Sequence, residues 1–190
     1  MTDKTPLVPT PAPAPAVSTN NAQAAASTVP TPLLEGTFDG RNAFAQLIRD
    51  ALATAARDGW RELLLVDASF EDWPLGERAV VDSLQAWSKT GRKFTIVAKR
   101  FDTLIAKHHR FVTWRGQWSH IVQAHGIAQA DASELTSAIY SPNWVMRRLD
   151  TVRSKGIASS DPARRVMLRE EINEWIGKSS PAFAATTLGL

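Results

Sequence analysis

The sequence predicts an α/β domain, a single small unit with a mostly parallel central sheet flanked by helices. Three observations point to it. Apolar residues at three-four spacing alternate twice with short unbroken apolar runs, the pattern of helices alternating with strands buried on both faces. Between two atypical ends lie about 150 residues, the usual size of one domain. Seven tryptophans (Trp60, Trp73, Trp87, Trp114, Trp118, Trp144, Trp175) and a hydrophobic content of 44% supply apolar surface for one core.

The first 36 residues hold seven of the eleven prolines (Pro6, Pro9, Pro11, Pro13, Pro15, Pro30, Pro32) among Ala, Thr, Ser and Asn. Such a segment buries too little apolar area to offset its ordering entropy, so 1–36 is expected to be a disordered tail, in part polyproline II. The domain is then placed at 37–179. Residues 180–190 are expected to be a flexible C-terminal tail on which Phe183 and Leu188 could dock.

Phe44, Leu47, Ile48, Ala51, Leu52 and Ala55 mark a first helix after Asp39-Gly40, closed by Gly59. Leu63–Val66 reads as a central strand. A loop through Asp72-Trp73-Pro74 leads to a second helix with Ala79, Val80, Leu84 and Trp87 inward, ended by Thr90-Gly91. Phe94–Ala98 reads as a second strand, parallel to the first across a helical crossover. A helical pattern then runs from Phe101 through Val122, with Gly116 as its expected break. Short strands are expected at Ile127–Ala130 and across Ala138–Met146 around Pro142. Asp161-Pro162 opens a C-terminal helix that ends near Gly177, with Val166, Leu168, Ile172, Trp175 and Ile176 as its stripe.

Composition narrows the function classes. Without cysteine there are no disulfides, thiolate ligands or thiol nucleophiles, which suits a reducing cytoplasm. No run approaches the roughly 20 apolar residues of a membrane helix, and prolines interrupt any signal-peptide core, so the expectation is a cytoplasmic chain without membrane contact. The charge distribution says more than the formal +3 total. From Asp50 to Ser88 eight acidic residues stand against three basic ones; from Lys89 to Arg115 eight basic residues (Lys89, Arg92, Lys93, Lys99, Arg100, Lys107, Arg110, Arg115) face Asp102 alone. A surface polarised in this way favours an anionic or charge-complementary partner.

The segment 107–120 interleaves these cations with aromatics, a composition suited to phosphate contacts beside stacking rings. Phe111, Trp114 and Trp118 nevertheless fall at core spacing. A second basic cluster (Arg147, Arg148, Arg153, Lys155, Arg164, Arg165, Arg169) could extend the footprint. The candidate anion-binding set is therefore Lys107, Arg110, Arg115, His120, Arg147 and Arg148. His108, His109, His120 and His125 lack the spacing and carboxylate company of a metal site, and neither a Gly-x-Ser-x-Gly elbow nor a glycine-rich phosphate loop is present. No catalytic residue, metal or cofactor is assigned. Asp67, Glu71 and Asp72, after the first strand, read as loop solvation and helix N-terminal charge.

Leu64-Leu65-Val66-Asp67, Asp72-Trp73-Pro74-Leu75-Gly76 and Arg110-Phe111-Val112-x-Trp114-Arg115, with the order of elements, resemble uncharacterised small α/β proteins of proteobacteria over residues 38–150. That group is similar in fold to one half of a phospholipase-D-like domain, whose chemistry needs a histidine, a lysine two residues on, and an aspartate. No histidine here has lysine two positions later. The resemblance therefore implies a binding or regulatory domain rather than an enzyme, with a protein or anionic partner, nucleic acid included. The alternative is a degenerate phosphodiesterase in which His120 works with Arg110 or Arg115.

Overall fold

Thirteen elements follow one another in the computed structural model, which describes Met1, residues 32–91 and residues 93–185. Of the tail expected over 1–36, residues 2–31 lie outside the described residues, as do Arg92 and Leu188. The described residues from Pro32 onward form one compact unit. Its elements are β1 (Gly36–Phe38), α1 (Arg41–Asp58), β2 (Glu62–Asp67), α2 (Arg78–Ser88), β3 (Lys93–Ala98), α3 (Asp102–Lys107) and α4 (His109–Gln117). They continue as β4 (Val122–Gly126), β5 (Ser137–Tyr140), β6 (Val145–Asp150), β7 (Lys155–Ser159), α5 (Pro162–Gly177) and β8 (Ser180–Pro181).

Local chemistry sets the boundaries of the helices. Gly59 ends α1 with φ 64°, a left-handed conformation that costs glycine little. The Asp161 carboxylate caps α5 by accepting the Ala163 N–H at 2.8 Å, with Pro162 in the first turn, where its missing N–H costs nothing. The expected long helix after Phe101 is instead two, broken at His108 (φ −118°, ψ 52°) and not at Gly116. Val122 leaves the helix altogether: it pairs with Phe94, because the open edge of β3 has backbone groups to satisfy. The strand expected at Ile127–Ala130 accordingly lies five residues earlier.

The sheet is mixed, in the order β1-β7-β6-β5-β2-β3-β4-β8. Only β2–β3 and β3–β4 run parallel, in register Leu65↔Ile96 and Ile96↔Ala124; the remaining pairings are antiparallel. The expectation of a mostly parallel sheet is thus corrected, and the reason is the length of the connections. β5 and β6 join through a turn in which the Ser141 hydroxyl accepts the Trp144 N–H, and β6 and β7 through one in which Asp150 accepts the N–H groups of Val152 and Arg153. Neither turn has the dozen or so residues that a parallel crossover needs.

Alternation sorts the strand side chains onto two faces. Leu63, Leu65, Phe94, Ile96, Ile139 and Met146 pack with α1, α2 and α4 in the larger core, where Trp73, Trp87 and Trp114 are buried. Leu64, Val66, Val97, Ala138 and Val145 pack under Leu168 and Ile172 of α5. The C-terminal tail expected from residue 180 is not free over its described part. β8 pairs with β4, the Ala182 N–H reaches the Ala124 carbonyl at 3.0 Å, and Phe183 stacks on Phe101 with ring centroids 5.1 Å apart.

Candidate functional site

The parallel strands β2, β3 and β4 end along one border, at Asp67, Ala98 and Gly126, and loops from both halves of the chain gather there. In open α/β sheets this carboxyl border is where ligands bind. Above β2 it carries a buried polar network. The Arg148 guanidinium gives Nη2 to Asp67 at 2.9 Å, Nη1 to Asp72 at 2.5 Å and Nε to the Ser137 hydroxyl at 3.1 Å, and its carbon lies 4.2 Å from the centre of the Phe44 ring. Ser137 in turn donates to Asp67 at 2.6 Å, and the other Asp67 oxygen accepts the N–H groups of Ser69 and Phe70. The side chains of Arg148 and Asp67 are 3% and 5% exposed, so each charge is stabilised by the other and not by water.

This network floors a cleft of about 730 Å³, rimmed by Arg41, Glu71, Lys107, Ser133 and Thr151. Lys107 Nζ meets Glu71 at 2.6 Å across the mouth, and that hydrogen bond, with the lysine charge, holds the Glu71 carboxyl below its ordinary range. The three basic and three acidic side chains of the cleft therefore offset one another, which makes it a polar cleft without net charge.

The residues expected to bind an anion are dispersed. Lys107 and Arg148 line this cleft, each in an ion pair. Arg147 leaves the opposite face of β6 to pair with Glu171 of α5 at 3.0 Å. Arg110 gives Nη1 to the Gly76 carbonyl at 3.1 Å, and His120 lies beside the Trp118 ring with centroids 5.7 Å apart; neither lines the clefts described here. Arg115 is only 6% exposed. The expectation of one exposed face uniting Lys107, Arg110, Arg115, His120, Arg147 and Arg148 is therefore corrected. Helical geometry turns Arg115 inward with Phe111 and Trp114, and the strand period turns Arg148 to the core side while Arg147 faces α5. Much of the second basic cluster is also paired, Lys155 with Asp39 and Arg169 with Glu62.

Three cations without ion pairs gather one strand further along. Lys99 and Arg100 follow β3 directly, Lys178 follows α5, and the three line a cleft of about 490 Å³ over the ends of β3 and β4 with Phe101, Gly126 and Ser180. Among the described residues none of the three has an ion pair, and Asp102 is the sole carboxylate in the lining; Lys178 rests 5.4 Å from the Trp175 ring centre. A basic pair placed immediately after an apolar strand signals this site in the sequence, but Lys178 is too distant along the chain to be connected with it.

Two of the histidines are held by the fold. His108 is buried with Nε2 2.8 Å from the Phe70 carbonyl, and His125 Nδ1 lies 3.0 Å from the Ser179 hydroxyl. Burial, and secondarily the charge of Lys93, lowers the His125 pKa. No cluster of three or more His, Cys, Asp or Glu that could hold a metal occurs among the described residues.

No protein-family model matches the chain, and no match is found among curated proteins. Among solved structures it is similar to TrmBL2, an archaeal chromatin protein whose structure is described as showing a novel mode of DNA binding. The two share a TM-score of 0.59 at 13% sequence identity, over 80% of this chain. The match spans 55% of the TrmBL2 chain, about half its length. At that identity the likeness is one of fold. Among the described residues no helix is long and apolar enough to cross a membrane.

Proposed function

We propose that this chain is a non-enzymatic binding domain that holds an anionic partner, the phosphate backbone of a nucleic acid, against the carboxyl border of β3 and β4. The observation that carries the reading is the convergence of Lys99, Arg100 and Lys178 on one cleft without ion pairs. Cations left unpaired at a concave site attract polyanions, and phosphate contacts dominate the affinity of nucleic-acid binding. The TrmBL2 likeness is compatible with this partner, since that protein binds DNA. Kinship with one half of a phospholipase-D-like domain belongs to the same proposal: a fold without the His-x-Lys pair could retain a phosphate-holding border. Buried Arg115 and tethered Arg110 do not support the phosphodiesterase alternative with His120.

Exposed Val166 and Met167 on α5, with Leu149 and Val152 at the β6–β7 turn, favour a second reading, a protein partner. Salt separates the two. Fluorescence anisotropy of labelled single- and double-stranded oligonucleotides with the full chain is expected to show affinity falling steeply between about 50 and 200 mM salt. Lys99→Ala, Arg100→Ala and Lys178→Ala should each lower the log–log salt slope by about 1. Their melting temperatures should stay close to that of the wild type. Binding insensitive to salt, or variants that bind as the wild type does, would overturn the proposal.

A further inference from the structure

Arg115 is out of keeping with its surroundings. It projects from α4 into the sheet side of the larger core and is 6% exposed, yet its Nε and Nη1 are buried without a hydrogen-bond acceptor, and among the described residues it has no carboxylate partner. Its guanidinium carbon lies 5.1 Å from the centre of the Phe183 ring. Desolvation accordingly pushes its pKa down. An unpaired buried charge is costly, and a pairing partner that restored its hydrogen bonds would recover much of that cost. By contrast, Arg148, equally buried, has all three nitrogens engaged.

Arg115 lines a cleft of about 590 Å³ together with Gln123, Ala124, His125, Ala182 and Phe183. No acidic side chain takes part in the lining, which is largely apolar. Its volume falls within the roughly 300–1,000 Å³ of small-molecule sites, and mostly apolar walls with one oriented polar group are their usual make-up. The segment over it is lightly held. β8 contributes two residue pairs to β4, and Phe183 sits at φ 49°, a left-handed conformation that disfavours a bulky side chain.

We infer that this cleft, between α4 and the chain following β8, is a second binding site that takes a small carboxylate carried on an apolar body, with Arg115 as the residue that pairs the carboxylate and Phe183 as the wall beside it. The site shares the segment 181–183 with the basic cleft over β3 and β4 but does not depend on it: here one guanidinium, with Gln123 and His125 in the same lining, faces walls that are otherwise apolar, and the ligand is a small amphiphile in place of a polymer.

Octanoate tests it, with octanol as the neutral probe and acetate as the probe lacking a body. Calorimetric titration of the full chain is expected to give saturable binding of octanoate and none of the other two, and octanoate should raise the melting temperature by a few degrees. Arg115→Met removes the charge and keeps the apolar stem. It is expected to melt above the wild type without ligand and to lose the octanoate response, while Arg115→Lys keeps a weakened response. Three results would each overturn the inference: no saturable octanoate binding by the wild type, an Arg115→Met variant that melts lower or fails to fold, or an Arg115→Met variant that binds octanoate as well as the wild type. Loss of nucleic-acid binding in the Lys99 and Arg100 variants bears only on the basic cleft, so the two proposals can fail separately.

Discussion

Asp67 and Arg148 stand 81 positions apart in the chain and meet at 2.9 Å in a place where water contributes little. Their energetics are asymmetric. Attraction between two desolvated charges does little more than offset the cost of removing them from water, but losing one partner strands the other. Arg148→Met is therefore expected to destabilise the protein by about 3–5 kcal/mol, because it leaves the Asp67 carboxylate buried and loses the stack on Phe44. Asp67→Asn with Arg148→Met should cost less than the sum of the two single changes. Urea midpoints of the four proteins measure this, and additive losses would show that the two groups act independently. The presence of Asp67 after a buried strand was legible in the sequence, whereas its partner was not. Strand alternation predicts that neighbours such as Arg147 and Arg148 face opposite ways, but assigning which one faces the core requires the register of β6, and that register is fixed by pairing with β5 and β7.

Among the elements, β2 and β3 were readable from their unbroken apolar runs, and α1, α2 and α5 from apolar spacing with a chemical stop, Gly59 for α1, Thr90-Gly91 after α2 and Asp161-Pro162 before α5, although Ala79 of α2 and Val166 of α5, both expected to face inward, are exposed. Between Phe101 and Gly126 the signal misleads. Ile121 and Val122 continue the helical spacing of Phe111, Val112, Trp114 and Trp118, and only the unpaired edge of β3 draws Val122 into the sheet. β7 gave no readable pattern, since Lys155-Gly156-Ile157-Ala158-Ser159 is short and weakly apolar. Its glycine has a physical reason. A Cβ at Gly156 would run into the Arg147 carbonyl oxygen and the Phe38 ring, both belonging to the strands that flank β7. Gly156→Ala is expected to destabilise by about 1–3 kcal/mol through overpacking, read as a lowered urea midpoint with unchanged slope. A variant as stable as the wild type would mean that β1 yields without cost.

At the scale of the molecule, the sheet divides apolar side chains unequally. α1 alone buries seven residues, among them Phe44, Leu47, Ile48 and Leu52, and with α2 and α4 it covers one face. α5 buries only Leu168 and Ile172 over the other. Opening free energies follow buried contacts, so native-state hydrogen exchange should release α5 amides through a lower-energy opening than those of α1, β2 and β3. Equal protection in α1 and α5 would contradict that order. The α/β class, the parallel β2–β3 pair and the buried tryptophans could all be read from residue patterns, but the antiparallel half of the sheet could not, because short turns leave little sequence signal. The basic charge run also foretold a cationic region, although folding leaves only part of it unpaired. Finally, β1 and β8 close the row of eight strands at its opposite borders. At about 4.8 Å per neighbour the two ends lie roughly 34 Å apart. Fluorophores attached just before Gly36 and just after Pro181 would report the full width of the sheet, and fusion partners joined there would approach the molecule from different sides.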